Sequence, residues 1–344
     1  MSTTTPPPDS MSGSTRTEPS HRAMEQAAEW YALLRSGEAT DDDHARWQSW
    51  LEHNADHRLA WQYVETISRS FEPIRATPDP RQTADDLWAV NKRVIQRRKI
   101  LTGIVVLTGT GLSSWAAWRH TPLPGIVLAQ MADYRTATGE LREVVMPDGT
   151  HVWLNTATAL NEAYHASLRR LCLITGEILI DTATDPQRPF VVDTPQGRLR
   201  ALGTRFTVRL ESDKTFLGVY QGSVEITFAA GTSSLIQAGQ QTHFATDALA
   251  AIEPADIARE AWSRGVLVAW DMSLGEVVKE LRRYRNGYLG IAPEVAHLRV
   301  FGSFPLRNTD NTLSMLASAL PIRIQRTLPW WVSIEARANA DQSH

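Results

Sequence analysis

The chain has 344 residues, enough for two or three domains, and its net charge of −3 argues against a nucleic-acid binder. Its single cysteine, Cys172, excludes an intrachain disulfide and a Cys-rich zinc site, and within Leu171-Cys172-Leu173-Ile174 it reads as apolar filler in a strand. Ten histidines are scattered and no HExxH, GxSxG, Walker or GxGxxG pattern occurs, so no motif points to an enzyme, a metal or a cofactor.

Residues 1–21 are mostly Ser, Thr and Pro and are expected to form a disordered tail. From residue 22 to 72 the pattern becomes three short helices. Ala27, Trp30, Tyr31 and Leu34 recur at helical spacing, and Gly37 ends the first helix. The second starts at Asp41-Asp42-Asp43 and carries Trp47, Trp50 and Leu51; Asp56 is expected to cap the third. The core stripe of that third helix is predicted as Ala60, Tyr63, Val64, Ile67 and Phe71, which leaves Trp61 off the stripe as an exposed partner anchor. Residues 22–71 hold nine Asp or Glu against five Arg and no Lys. Such an acidic face suits a basic partner and equally suits plain solvation.

A Pro-containing linker and a juxtamembrane helix are expected over 73–99. Ile100–Trp118 follows, nineteen residues without a formal charge. A helix of that length spans about 28 Å, close to the ~30 Å hydrocarbon core of a bilayer. Arg97, Arg98 and Lys99 flank its start, so the N-terminus is expected in the cytoplasm and the chain beyond residue 120 outside. A buried core helix is the competing reading of the same stretch.

After Pro124 the hydrophobic period drops to two. Strand segments recur from Arg142 to Ala245, broken at Gly176, Gly197, Gly222 and Gly239, which predicts an all-β domain over 125–250, either sandwich or short solenoid. The region 262–336 is predicted as α+β. Ser273 and Glu276 form a capping box before a helix whose buried face is Leu274, Val277, Val278 and Leu281. A strand, a helix over Asn311–Leu320 and a further strand then repeat the pattern, as two βαβ-like units.

Several contiguous segments resemble the FecR family of single-pass anti-sigma regulators: AAEWYALLRSGE and ARWQSWLEH among the helices, and PDGTHVWLNTAT, GEILIDTATDPQRPFVVDT and ALGTRFTVR in the β region. LGEVVKELRRYRNGYLGI and FPLRNTD extend the likeness into the last module. The resemblance implies a bacterial inner-membrane relay without enzymatic turnover. The N-terminal signalling domain of a TonB-dependent outer-membrane receptor for an iron chelate would touch the C-terminal, STN-like module in the periplasm, and the cytoplasmic helices would control an extracytoplasmic-function sigma factor. It also implies sigma contacts at Trp30, Trp50 and Trp61, receptor contacts at Leu274, Leu289 and Phe304, and self-cleavage between Gly203 and Thr204. By residue pattern alone, Leu274 belongs to a buried stripe, and Gly203 is equally a simple bend. The Arg97-Arg98 run also resembles a twin-arginine export signal. A membrane-anchored envelope binding protein is the alternative class.

Overall fold

The structure is a computed structural model and describes residues 19–75, 129–228 and 231–337; the stretch 97–118, with its basic flank and predicted span, lies outside them. Three helices open the chain: α1 (His21–Arg35), α2 (Asp41–His53) and α3 (Ala55–Arg75). Their starts follow from side chains that satisfy free N–H groups. Ser20 Oγ accepts from the Ala23 N–H at 3.3 Å, and Thr40 with Asp43 forms a capping box that holds the Asp43 carboxyl down at about 2. Asp56 does not cap α3. Its carboxylate instead accepts from the N–H and Oγ of Ser20, tying the start of α1 to α3. The interface between α1 and α3 is lined with small residues, Ala23, Ala27, Ala28 and Ala60, together with Met24, Tyr31 and Val64.

The β region is a sandwich of two seven-stranded sheets. The first runs β1 (Tyr134–Arg135), β4 (Ala159–Glu162), β5 (Arg169–Thr175), β7 (Phe190–Thr194), β8 (Gly197–Ala201), β11 (Ser223–Phe228) and β12 (Ser233–Gln237). The second runs β14 (Glu253–Pro254), β13 (Gln240–Phe244), β10 (Thr215–Gln221), β9 (Arg205–Leu210), β6 (Glu177–Asp181), β3 (His151–Leu154) and β2 (Arg142–Val145). Within the sheets β5 pairs with β7 in parallel; the other recorded pairings are antiparallel. Alternate residues such as Leu171, Leu173, Ile178, Ile180, Phe206 and Val208 meet in one apolar core between the sheets. On β6, Glu177 and Leu179 lie on the other face and are buried as well, so the second sheet is covered outside too.

A 3-10 helix, Ile257–Arg264, leads into the last module. There follow β15 (Val266–Ser273), α4 (Leu274–Leu281), β16 (Tyr288–Ile291), β17 (Arg299–Pro305), α5 (Thr309–Ala319), β18 (Ile322–Leu328) and β19 (Trp331–Ala336). Leu274, Val277, Val278 and Leu281 are fully buried, as their spacing predicts. The two repeats are not true βαβ crossovers. The strand before each helix joins a two-stranded antiparallel sheet, β15-β17, and the strand after it joins a three-stranded sheet of order β16-β19-β18. A βαβ unit would place both strands in one sheet.

The chain divides into two compact units. One comprises the helices together with Gly287–Pro293 and Gln325–Glu335; the other comprises the sandwich, the 3-10 helix and the remainder of the last module. In the first unit Trp330 and Trp331 join the apolar cluster of α1 and α3, with Tyr31 edge-on to Trp330 at 5.8 Å and Phe71 stacked on it at 5.9 Å.

Candidate functional site

The helices collect their aromatic residues on one side. Trp61 lies 5.9 Å from the Tyr31 ring and 4.9 Å from Trp47, centre to centre, and is half-buried. The expectation of an exposed Trp61 is therefore corrected: the stripe of α3 runs through Ala60, Val64 and Ser68, and Tyr63 is the exposed aromatic. Trp50 stacks on His57 at 4.4 Å and donates its Nε1–H to Gln26 Oε1 at 3.1 Å. Trp30 is half-buried on α1. Among the described residues of this unit, Leu59 and Tyr63, one turn apart on α3, are the exposed large apolar side chains, and neither was singled out as a contact by its sequence pattern.

Among the described residues His21, Glu25 and Glu335 lie close enough together to share a cation. Their atoms are already engaged. His21 Nε2 is 2.9 Å from Glu335, and the Ser333 hydroxyl donates to Glu25. Burial pushes the Glu25 carboxyl up, while burial of Glu335 is outweighed by hydrogen bonds from Ser333, Glu25 and His21 that pull its carboxyl down.

Gly203 and Thr204 sit in the turn between β8 and β9. Gly203 has φ +70°, a left-handed value that glycine adopts without the Cβ penalty, and Gly222 packs so closely that a Cβ there would fall 2.3 Å from the Gly203 carbonyl oxygen. Thr204 is held firmly: its N–H donates to Thr182 Oγ1 at 2.8 Å, and its carbonyl accepts from the Thr182 N–H at 3.1 Å. Its own hydroxyl is buried with no hydrogen-bond partner. A buried, uncommitted hydroxyl beside a glycine carbonyl is one requirement of an N-to-O acyl shift.

In the last module Leu274, Leu289 and Phe304 are all buried. Leu274 packs on the hidden face of α4, Leu289 pairs across the backbone with Val332, and Phe304 pairs with Leu267. None of the three presents a side chain to a partner, so their expected receptor contact has to be indirect. The most exposed large apolar groups of the module among the described residues are Trp270, 81% accessible, and Phe301, 60%, which pair edge-on across β15 and β17 at 6.2 Å. Trp270 follows buried Ala269 and so points to the opposite, uncovered face, and a β-bulge interrupts the register just after it, between Trp270 and Met272. Asp271 within it has φ +58° and is clamped by Arg299, whose Nε donates to the carboxylate at 2.7 Å and whose Nη2 donates to the Asp271 carbonyl. Alternation predicts the two strands but not which of their faces is left uncovered, which is why the pair was missed.

Ion pairs join the sandwich to the segment that follows it. Arg283 Nη2 is 2.7 Å from the Glu177 carboxylate, which also accepts from Asn155 Nδ2 at 2.9 Å. Arg209 reaches Glu280 at 3.2 Å, Glu280 also holds Arg283, and Arg205 reaches Glu260 at 2.8 Å. Burial alone would raise the Glu177 carboxyl, but Arg283, with Arg259 and Arg209 behind it, holds it below the usual carboxylate range.

A family model described as FecR protein matches residues 132–225, and one described as a domain of unknown function, DUF4880, matches residues 25–67. Two crystal structures of a candidate anti-sigma factor from Parabacteroides distasonis are similar in fold, each at 21% identity and a TM-score of 0.49. They cover 59% of this chain and 98% or 97% of the other. No curated protein matches.

Proposed function

We propose that this chain, which matches the FecR protein model over residues 132–225 and the DUF4880 model over 25–67, is an anti-sigma regulator without enzymatic turnover: a single-pass inner-membrane relay whose helices hold an extracytoplasmic-function sigma factor in the cytoplasm. Its sandwich and last module then stand in the periplasm and take the signal from the N-terminal domain of a TonB-dependent outer-membrane receptor for an iron chelate. The observation that carries this reading is the placement of the two family matches, 25–67 and 132–225, on either side of the uncharged stretch Ile100–Trp118 with Arg97, Arg98 and Lys99 at its start. No helix among the described residues is long and apolar enough to cross a membrane, and the proposed span lies outside them.

Two apolar faces acquire roles in this arrangement. The face of Met24, Ala27, Tyr31 and Val64 packs on Trp330 and Trp331 in the structure, a contact that needs both on one side of a membrane. A chain that spans the bilayer between them uncovers both faces, the first for the sigma factor and the second for the periplasm. On the receptor side the directly touching residues are Trp270 and Phe301, because exposed aromatic side chains are enriched at interfaces and Trp among their hot spots; Leu274, Leu289 and Phe304 act by holding the module in shape. Gly203–Thr204 is the bond at which the chain cuts itself, the Thr204 hydroxyl attacking the Gly203 carbonyl and water hydrolysing the ester.

The test is co-purification of the detergent-solubilised full chain with the sigma factor encoded beside it. Co-elution supports the reading. Failure of the sigma factor to co-elute, together with reporters that place residues 85 and 125 on one side of the membrane, would remove it.

A further inference from the structure

A cavity of about 360 Å³ opens between the outer face of the second sheet and the segment from the 3-10 helix to α4. That volume is at the lower end of the range for small-molecule sites. Its walls are unusual in their leftover donors. Arg259 and Trp262 are three residues apart in the 3-10 helix, a spacing at which side chains eclipse on one face, and both line the cavity. The Arg259 guanidinium lies 3.9 Å above the Phe216 ring and acts on Glu177 only through its charge, with no ion pair within 4 Å among the described residues. The Trp262 side chain is only 4% accessible, and its indole N–H has no acceptor. An unsatisfied buried N–H costs free energy, which an acceptor entering beside it would relieve.

The carboxylates on the same walls are already committed. Glu177 and Glu280 are held by Arg283 and Arg209, Glu211 by Lys214 and His243, Glu276 by the capping box with Ser273, and Asp256 by the Ala258 N–H. Lys279, on α4, has no ion-pair partner among the described residues and lines the cavity opposite the 3-10 helix. The remaining lining is apolar, with Val268, Met272 and Leu306.

We propose that this cavity binds a small organic carboxylate with an apolar body, of the size of an acylated amino acid. Its carboxylate is held by the Arg259 guanidinium and the Trp262 N–H, with Lys279 adding charge, and its apolar part lies against Val268, Met272 and Leu306. A guanidinium fork matches a carboxylate with two parallel hydrogen bonds, and an indole N–H supplies a third. Because sandwich and last module both contribute walls, occupancy favours the state in which the two are docked. None of this depends on the membrane topology proposed above.

The probes are N-acetyl-leucine, its neutral amide N-acetyl-leucinamide, and acetate, titrated calorimetrically into the full chain in detergent up to about 10 mM. Saturable binding of N-acetyl-leucine is expected, with the amide and acetate each weaker by about tenfold or more. Arg259→Met should weaken binding by about tenfold. Trp262→Phe, which removes the N–H and keeps the ring, should weaken it severalfold without lowering the melting temperature. It carries the test should Arg259→Met fail to fold. The proposal is overturned by no saturable binding of N-acetyl-leucine, by equal binding of the amide or of acetate, or by folded variants that bind like the parent.

Discussion

Arg283→Met is the sharpest probe of how the sandwich and the last module are joined. The substitution keeps most of the side-chain volume but strips Glu177, 1% accessible, of a cation at 2.7 Å, leaving Asn155 as its direct hydrogen-bond donor. Removing one partner of a buried pair costs about 3–5 kcal/mol, and the lower end applies here because Arg283 keeps some solvent contact. For a unit of roughly 200 residues about 3 kcal/mol lowers the melting temperature by about 6–12 °C. The pH dependence also changes sign. In the parent chain the folded Glu177 carboxyl titrates below its unfolded value, so its contribution is complete above that unfolded value and disappears only as pH falls through the depressed one. Without Arg283, burial should raise the folded value above the unfolded one, so the variant is least penalised at low pH and loses stability as pH rises. Thermal unfolding at pH 5 and pH 8 should therefore show the variant more stable at pH 5, and adding Glu177→Gln should restore most of the loss at pH 8. A variant with the same melting temperature at both pH values, or no recovery in the double substitution, refutes the account of Glu177 as a buried charge neutralised by Arg283.

Three further outcomes test the proposed relay. Trp61→Ala, whose half-buried ring packs on Tyr31 of the proposed sigma face and on Trp47, should weaken sigma-factor binding by more than about 1 kcal/mol and also lower stability by about 1–2 kcal/mol. A Glu25→Cys, Ser333→Cys pair, with Cys172→Ser, should form no disulfide in membranes if the bilayer separates the two residues; efficient cross-linking there would show that the contact persists and that the topology is wrong. Thr204→Ala should abolish a fragment beginning at residue 204 in mass spectra of the purified chain, and unchanged fragments would assign the cut to a separate protease.

The helices and most strands were legible because their signals are local: Thr40 with Asp43, Ser273 with Glu276, and the alternation of Arg169–Thr175 each lie within a few residues of the structure they dictate. On α3 the predicted stripe holds at Ala60 and Val64 and at Ile67 and Phe71, which pack against the core, and departs at Tyr63, which is exposed; Ser68, whose hydroxyl donates to the Glu65 carbonyl at 2.9 Å, is buried where hydrophobicity gave no signal. Strands β1 and β14 have two residues each, and β12 is Ser-Ser-Leu-Ile-Gln with one buried side chain, so none carries a recognisable period.

The functional surfaces failed to show in the sequence for a related reason. Glu177 opens a strand whose Ile178-Leu179-Ile180 run suggests burial on both faces, but nothing nearby supplies the cation a buried carboxylate needs; Arg283, brought in by the turn after α4, makes it tolerable there. Trp270 is likewise unremarkable in a strand: alternation opposes it to Ala269, but only the packing of the module shows that its own face, shared with Phe301 on the neighbouring strand, is left uncovered. Each depends on a partner distant in sequence and close in space. The family likeness had pointed to Leu274, Leu289 and Phe304, and burial now separates two kinds of importance. Substituting those residues should disturb the module's stability and its signalling together, while substituting Trp270 or Phe301 should disturb signalling alone. A Trp270→Ala chain that melts at the parent temperature yet no longer answers the receptor would place the contact on β15, whereas an unaltered response would return the search to the uncovered face of Tyr288 and Trp330.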